Sequence, residues 1–191
     1  MKFVKEHTTK TLEVKQSKFI AHLIPYNRYD ELLKELKEEH PKARHFVVAW
    51  RYINEFEQIV EHCSDDGEPK GTSGKPTLAV LAGQGLINSA VIIVRYFGGT
   101  KLGTGGLVRA YSDACNDVIA ISKLHPYVKL EQYSFKVKYS DISMIEYALN
   151  ENSILVEEKS FDEKGAGFTV SCSKESWELF FKQSERLILL D

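Results

Sequence analysis

Cysteine is scarce in this chain of 191 residues: Cys63, Cys115 and Cys172 stand more than 50 positions apart. With no C-x-x-C pair, a zinc knuckle and a thioredoxin-type site are excluded, and a reduced, cytoplasmic setting is expected. Long apolar runs are missing as well. None exceeds the length of Ala90 to Val94, which stops at Arg95, far below the roughly 20 residues that span a bilayer. Met1 to Lys18 carries Lys2, Lys5, Glu6, Lys10, Glu13, Lys15 and Lys18, which leaves no apolar core for a signal segment. Proline is rare, at 5 residues, and the 12 glycines follow no period, so collagen-like and low-complexity chains are excluded too.

What is present is ordinary for a globular chain: 43% hydrophobic and 27% charged residues. That length accommodates one large domain or two small ones. The net charge of −2 hides a division. Residues 1–127 hold 17 Lys and Arg against 15 Asp and Glu, with all six His, whereas residues 128–191 hold 8 against 12. The split favours two units with different roles and argues against a polyanion binder that is basic throughout.

Leu12 to Pro25 reads as a strand. Tyr29, Leu32, Leu33 and Leu36 recur at helical spacing, with Asn27 as the expected cap and Pro41 as the stop. His45 to Ile53 is apolar without alternation, as a strand covered on both faces must be, and Phe56 to Cys63 returns beside it. After the polar loop Ser64 to Pro76, a short helix is expected to Gly83, capped by Thr72 or Ser73. A buried strand, Asn88 to Phe97, then leads into a helix over about Gly105 to Ser122. The pattern resets near Pro126, and the remainder reads strand, helix, strand, strand, helix. This β-α-β-β-α order is that of a ferredoxin-like domain, whose closing strand has only Ile188 to Asp191 available.

Two loops carry the chemistry. In the first, Arg95 to Tyr111, a strand ends, glycines turn the chain and a helix begins. Free N–H groups at a helix start suit an anion. The candidate anion- or RNA-binding residues are Arg95, Tyr96, Phe97, Gly98, Gly99, Lys101, Gly103, Thr104, Gly105, Gly106 and Arg109. A Walker loop is excluded because Thr104 stands where Lys is required, and Asn88 breaks the dinucleotide fingerprint begun by Gly83 and Gly85. ATP and NAD are therefore not expected. The second loop brings Asp65, Asp66 and Glu68 together with Lys70 and Lys75. It reads as a polar turn cornered at Asp66–Gly67 that lines a site, with the three carboxylates a weaker candidate for Mg²⁺. No catalytic residue can be assigned. His62 and Cys63, as strand neighbours, point to opposite faces and do not form a nucleophile pair.

The segment GQGLINSAVIIVRYFGGTKLG, Gly83 to Gly103, resembles the signature of the IMPACT family, whose bacterial branch is often called the YigZ family. DDGEPKGTSGKP and GTGGLVRAYSDA are similar to that family's other characteristic segments, so the resemblance covers essentially the whole chain. It implies an α+β fold of two domains. Residues 1–127 would resemble domain two of ribosomal protein S-five. Residues 128–191 would be ferredoxin-like, resembling domain V of elongation factor G, with the last strand short or absent. Eukaryotic relatives act in translational control, so the resemblance implies a non-enzymatic module that associates with RNA or the ribosome. The alternatives are a small metal-dependent hydrolase or phosphoryl-processing enzyme built on the two loops, and a protein–protein adaptor. The acidic second domain is the expected site for a protein partner.

Overall fold

The computed structural model describes residues 1–189, and contacts divide the chain after Tyr127. The first unit runs β1 (Lys2–Val4), β2 (Thr8–Val14), β3 (Ser17–Pro25), α1 (Tyr29–Glu39), β4 (His45–Ile53), β5 (Ile59–Ser64), α2 (Gly74–Gly83), β6 (Ser89–Tyr96), α3 (Gly103–Ala120) and β7 (Leu124–Pro126). Strands β2-β3-β6-β4-β5 form one antiparallel sheet in that order. β1 pairs with β7 in a small sheet of its own.

The unbroken apolar runs of β4 and β6 are explained by burial on two sides. Val47, Ala49, Val91 and Ile93 pack with Leu107, Tyr111, Ala114 and Val118 of α3. The alternate residues Phe46, Val48, Ile92 and Val94 pack with Leu32 and Leu36 of α1. Each removal of such a side chain from water contributes roughly 1.5–3 kcal/mol. The register across β4 and β6 pairs His45 with Arg95, and this pairing assembles the candidate site.

Several expectations are corrected. Leu12 to Pro25 is not one strand. The chain reverses at Lys15 and Gln16, both at positive φ (47° and 64°), and neither is the Gly or Asn that usually announces such a turn. Asn27 does not cap α1, because a 3₁₀ turn over Tyr26–Arg28 intervenes. Ser73 precedes α2 but its hydroxyl caps nothing within that helix.

The second unit runs β8 (Glu131–Val137), α4 (Ile142–Glu151), β9 (Leu155–Asp162), β10 (Gly165–Cys172), α5 (Lys174–Ser184) and β11 (Ile188–Leu189). Its antiparallel sheet has the order β11-β8-β10-β9. Val137, Phe168 and Val170 of the sheet pack against Ile145 and Leu149 of α4 and Phe180 of α5. Ser173 caps α5, its hydroxyl accepting from the Ser176 N–H at 3.0 Å. The closing strand is short: Ile188 and Leu189 pair with Val137 and Lys136. Leu190 and Asp191, also expected in that strand, lie outside the described residues.

Candidate functional site

The acidic loop between β5 and α2 directs its carboxylates inward, each to a different partner. Asp65 Oδ1 accepts from the N–H groups of Ser73 (3.1 Å) and Gly74 (2.8 Å) and from the Ser73 hydroxyl (2.7 Å), while Oδ2 accepts from Gly71 N–H at 2.7 Å. The cap of α2 is therefore a carboxylate eight residues upstream of Ser73. Partial burial opposes its charge, but the donors from Gly71, Ser73 and Gly74 outweigh it and hold the Asp65 carboxyl below its ordinary value. Asp66, at φ 44° before Gly67, accepts from Phe46 N–H at 2.6 Å. Glu68 is 8% exposed and meets Arg95 Nη1 at 2.5 Å and the Tyr111 hydroxyl at 2.8 Å. Asp65, Asp66 and Glu68, the weaker candidate for Mg²⁺, are thus each engaged by a different partner. No group of three His, Cys, Asp or Glu side chains able to hold a metal occurs among the described residues.

Arg95 is corrected too. It is 6% exposed, and its guanidinium lies 5.4 Å from the Phe19 ring and 5.8 Å from that of Phe97. With one arm committed to Glu68, it is chiefly the centre of a buried Glu68–Arg95–Tyr111 network and not a freely presented cation. Its Nε is buried without a hydrogen-bond partner. Burial, reinforced by the Glu68 carboxylate beside it, drives the Tyr111 phenol's pKa far upward, so Tyr111 stays protonated and donates.

The glycine-rich loop divides into residues the fold requires and residues it leaves open. A Cβ on Gly98 would sit 2.0 Å from the Gln16 carbonyl carbon, and Gly98 N–H donates to Ser17 Oγ at 3.1 Å. Gly98 is thus the seat of the loop on the β2–β3 turn. A Cβ on Gly105 would meet nothing within 4 Å, and its φ is not positive, so the fold does not demand glycine there. α3 begins at Gly103 with no side-chain cap. Thr104, Lys101 and Arg109 are exposed.

Beside this loop lies a cavity of about 540 Å³ bordered by Lys42, Arg44, His45, Arg95, Tyr96 and Phe97. The structure brings Arg95, Tyr96 and Phe97 to it, and adds the α1–β4 connection with Lys42 and Arg44. Sequence reasoning passed over those two cations. The signal that could have found them is the basic stretch Lys42-Ala-Arg-His45 directly before a buried strand. His45 Nδ1 donates to the Asp66 carbonyl at 2.8 Å, which reserves Nε2 for other partners. Tyr96 is half-buried with its hydroxyl 3.0 Å from His40 Nδ1, whereas Phe97 is 55% exposed and is the outward aromatic. Among the described residues, the charged groups that border the cavity are Lys42, Arg44 and Arg95, the last of them paired with Glu68.

Lys101 and Arg109 do not border this cavity, nor do Lys70 and Lys75. Lys75 borders a different groove with Val80 and Val108, and Lys70 is exposed. His62 and Cys63 point apart: His62 stacks on Trp50 at 5.1 Å, while Cys63 packs against the α2–α3 core. No helix among the described residues is long and apolar enough to cross a membrane.

Comparison with known proteins gives consistent likenesses. The family model described as the Impact N-terminal domain matches residues 15–119. The IMPACT family member YigZ of Escherichia coli is 37% identical over 142 residues, which is 73% of this chain and 70% of that protein. An IMPACT family member of Haemophilus influenzae is 33% identical over 154 residues, 78% of this chain and 74% of that protein. A crystal structure of a hypothetical protein superimposes with a TM-score of 0.65 at 28% identity, covering 100% of this chain and 97% of that one.

Proposed function

This chain belongs to the IMPACT family, and from that membership we propose that it is a non-enzymatic module that binds RNA, on or near the ribosome, and regulates translation. The observation that carries the reading is the cavity bordered by Lys42, Arg44 and His45 beside the exposed ring of Phe97. Cations that meet phosphates, next to an outward aromatic that meets a base, are the two components of single-strand recognition.

The metal-dependent hydrolase has no observation in its favour once Asp65, Asp66 and Glu68 are engaged internally. For the second unit, the order β-α-β-β-α-β and its sheet order support the ferredoxin-like assignment. Its exposed Met144 and Tyr147, at 60% and 68%, make it the half suited to a protein partner.

Fluorescence anisotropy of labelled single-stranded and hairpin RNA at low and moderate salt tests the reading. Lys42→Ala and Arg44→Ala should each weaken binding uniformly across sequences and lower the salt slope by about 1. Variants that bind as the parent does would remove the cavity as the contact. Arg95→Ala is unsuitable for this purpose, because it also strands Glu68.

A further inference from the structure

At the other end of the five-stranded sheet lies a cavity of about 560 Å³, where β3 and β4 end and β6 begins. We infer that it is a second ligand site, one that takes a mononucleotide: an aromatic base against Tyr26 and Tyr52, and a phosphate between Lys5 and Arg28.

The site is built by Asn88, which sits at φ 50° just before β6. Its backbone carbonyl accepts from Tyr26 N–H at 2.9 Å, and its side-chain Oδ1 accepts from Ile53 N–H at 2.9 Å. One residue in a sparsely populated conformation therefore clamps the chain leaving β3 to the end of β4, a kind of local strain that clusters at functional sites. Since Oδ1 is committed to Ile53, the Asn88 amide keeps its NH₂ as the group able to serve a ligand. β1 closes the side, held in place where Lys2 N–H donates to Gly85 O and Lys2 O accepts from Ile87 N–H, both at 2.8 Å.

The lining selects the ligand. Tyr26 and Tyr52 are stacked, with centroids 4.4 Å apart and planes at 8°, and both border the cavity. Trp50 backs the pair at a tilt, 5.1 Å from Tyr26 with its plane at 55°. Such a rigid flat surface attracts another flat ring, and base–aromatic stacking is sequence-tolerant. Among the described residues, the charged ones that border the cavity are Lys5 and Arg28. Arg28 meets Glu31 of α1 at 3.4 Å on exposed surface, a weak pair that a phosphate can displace. The volume lies within the range of small-molecule sites.

Amide NMR of the ¹⁵N-labelled full chain, titrated with AMP, CMP, GMP and UMP, tests this. Adenosine, inorganic phosphate and a tetra-adenylate serve as further arms. The expected result is saturable shifts at Lys5, Tyr26, Asn27, Tyr52 and Asn88 with at least one mononucleotide. Adenosine and phosphate alone should bind about tenfold more weakly or worse, and the tetra-adenylate no better than AMP per site. Tyr52→Ala should weaken binding about tenfold. Arg28→Glu, at an exposed position that leaves the fold intact, should do so as well. No saturable shift with any mononucleotide overturns the inference. So do shifts confined to Lys42–His45 and Tyr96–Phe97, equal binding of phosphate alone, or a tetra-adenylate that binds far more tightly than AMP.

Discussion

The segment from Ser64 to Pro76 and the segment from Phe97 to Arg109, which runs into α3, belong to the same unit, mix charges with glycines, and behave in opposite ways. In the first, every carboxylate is satisfied from within: Asp65 by the start of α2, Asp66 by Phe46 N–H, Glu68 by Arg95 and Tyr111. In the second, α3 starts without a side-chain cap, Lys101 and Arg109 face solvent, and Gly105 has open space around it. The same residue types that advertise a ligand in a sequence also build a loop that needs none. What separates the two is whether the chain supplies its own partners.

Mutations can break or sharpen this contrast, and the largest effect belongs to the buried pair. Arg95→Ala should lower stability by about 3–5 kcal/mol in denaturant unfolding, because Glu68 is left charged and unpaired in the interior. Arg95→Met combined with Glu68→Leu should recover most of the loss, since an apolar pair of similar size avoids that penalty. An Arg95→Ala protein as stable as the parent would dissolve the contrast at once.

Asp65→Asn comes next, at about 2 kcal/mol, because a charged acceptor shared by four donors is lost. The effect depends on pH with a definite sign. The folded pKa of Asp65 lies below its unfolded value, so its contribution is complete above the unfolded value near ~3.9 and fades as pH falls towards the folded one. Unfolding curves of parent and Asp65→Asn should therefore converge below about pH 4.

In the other segment, Arg109→Ala on α3 should leave stability within about 0.5 kcal/mol of the parent, as expected of an exposed cation, while weakening RNA binding modestly. Gly105→Ala should act in the reverse sense on the two readouts. Stability should rise by about 0.5 kcal/mol, as for alanine replacing glycine in a helix, and binding should fall if phosphate approaches the backbone there. Thermal unfolding and anisotropy on the same samples would separate these outcomes.

Much of the architecture was legible. The non-alternating runs of β4 and β6 announced burial on both faces, and the element order of the second unit followed from its periodicity. The β2–β3 reversal was not legible, because Lys15 and Gln16 adopt positive φ without being turn formers. Nor was the fate of Arg95. A strand apolar on both sides gives no alternation from which to read the direction of its last cation, and its partner Glu68 lies 27 residues away in a loop. Lys42 and Arg44 were hidden for a related reason. They reach the candidate site only because β4 pairs with β6 in the register that sets His45 opposite Arg95, and register between strands so far apart in the chain has no local signature.

The pairing of β1 with β7 sets Lys2 beside Pro126 and Val4 beside Leu124. The polypeptide therefore enters and leaves the first unit at neighbouring points, about 4.8 Å apart across a strand pair. A body with adjoining ends is portable. It can be hung on another polypeptide at a single spot, or inserted into a surface loop, without unpicking its own sheet. Gene rearrangement could shuttle such a unit among unrelated neighbours while everything inside it stays intact.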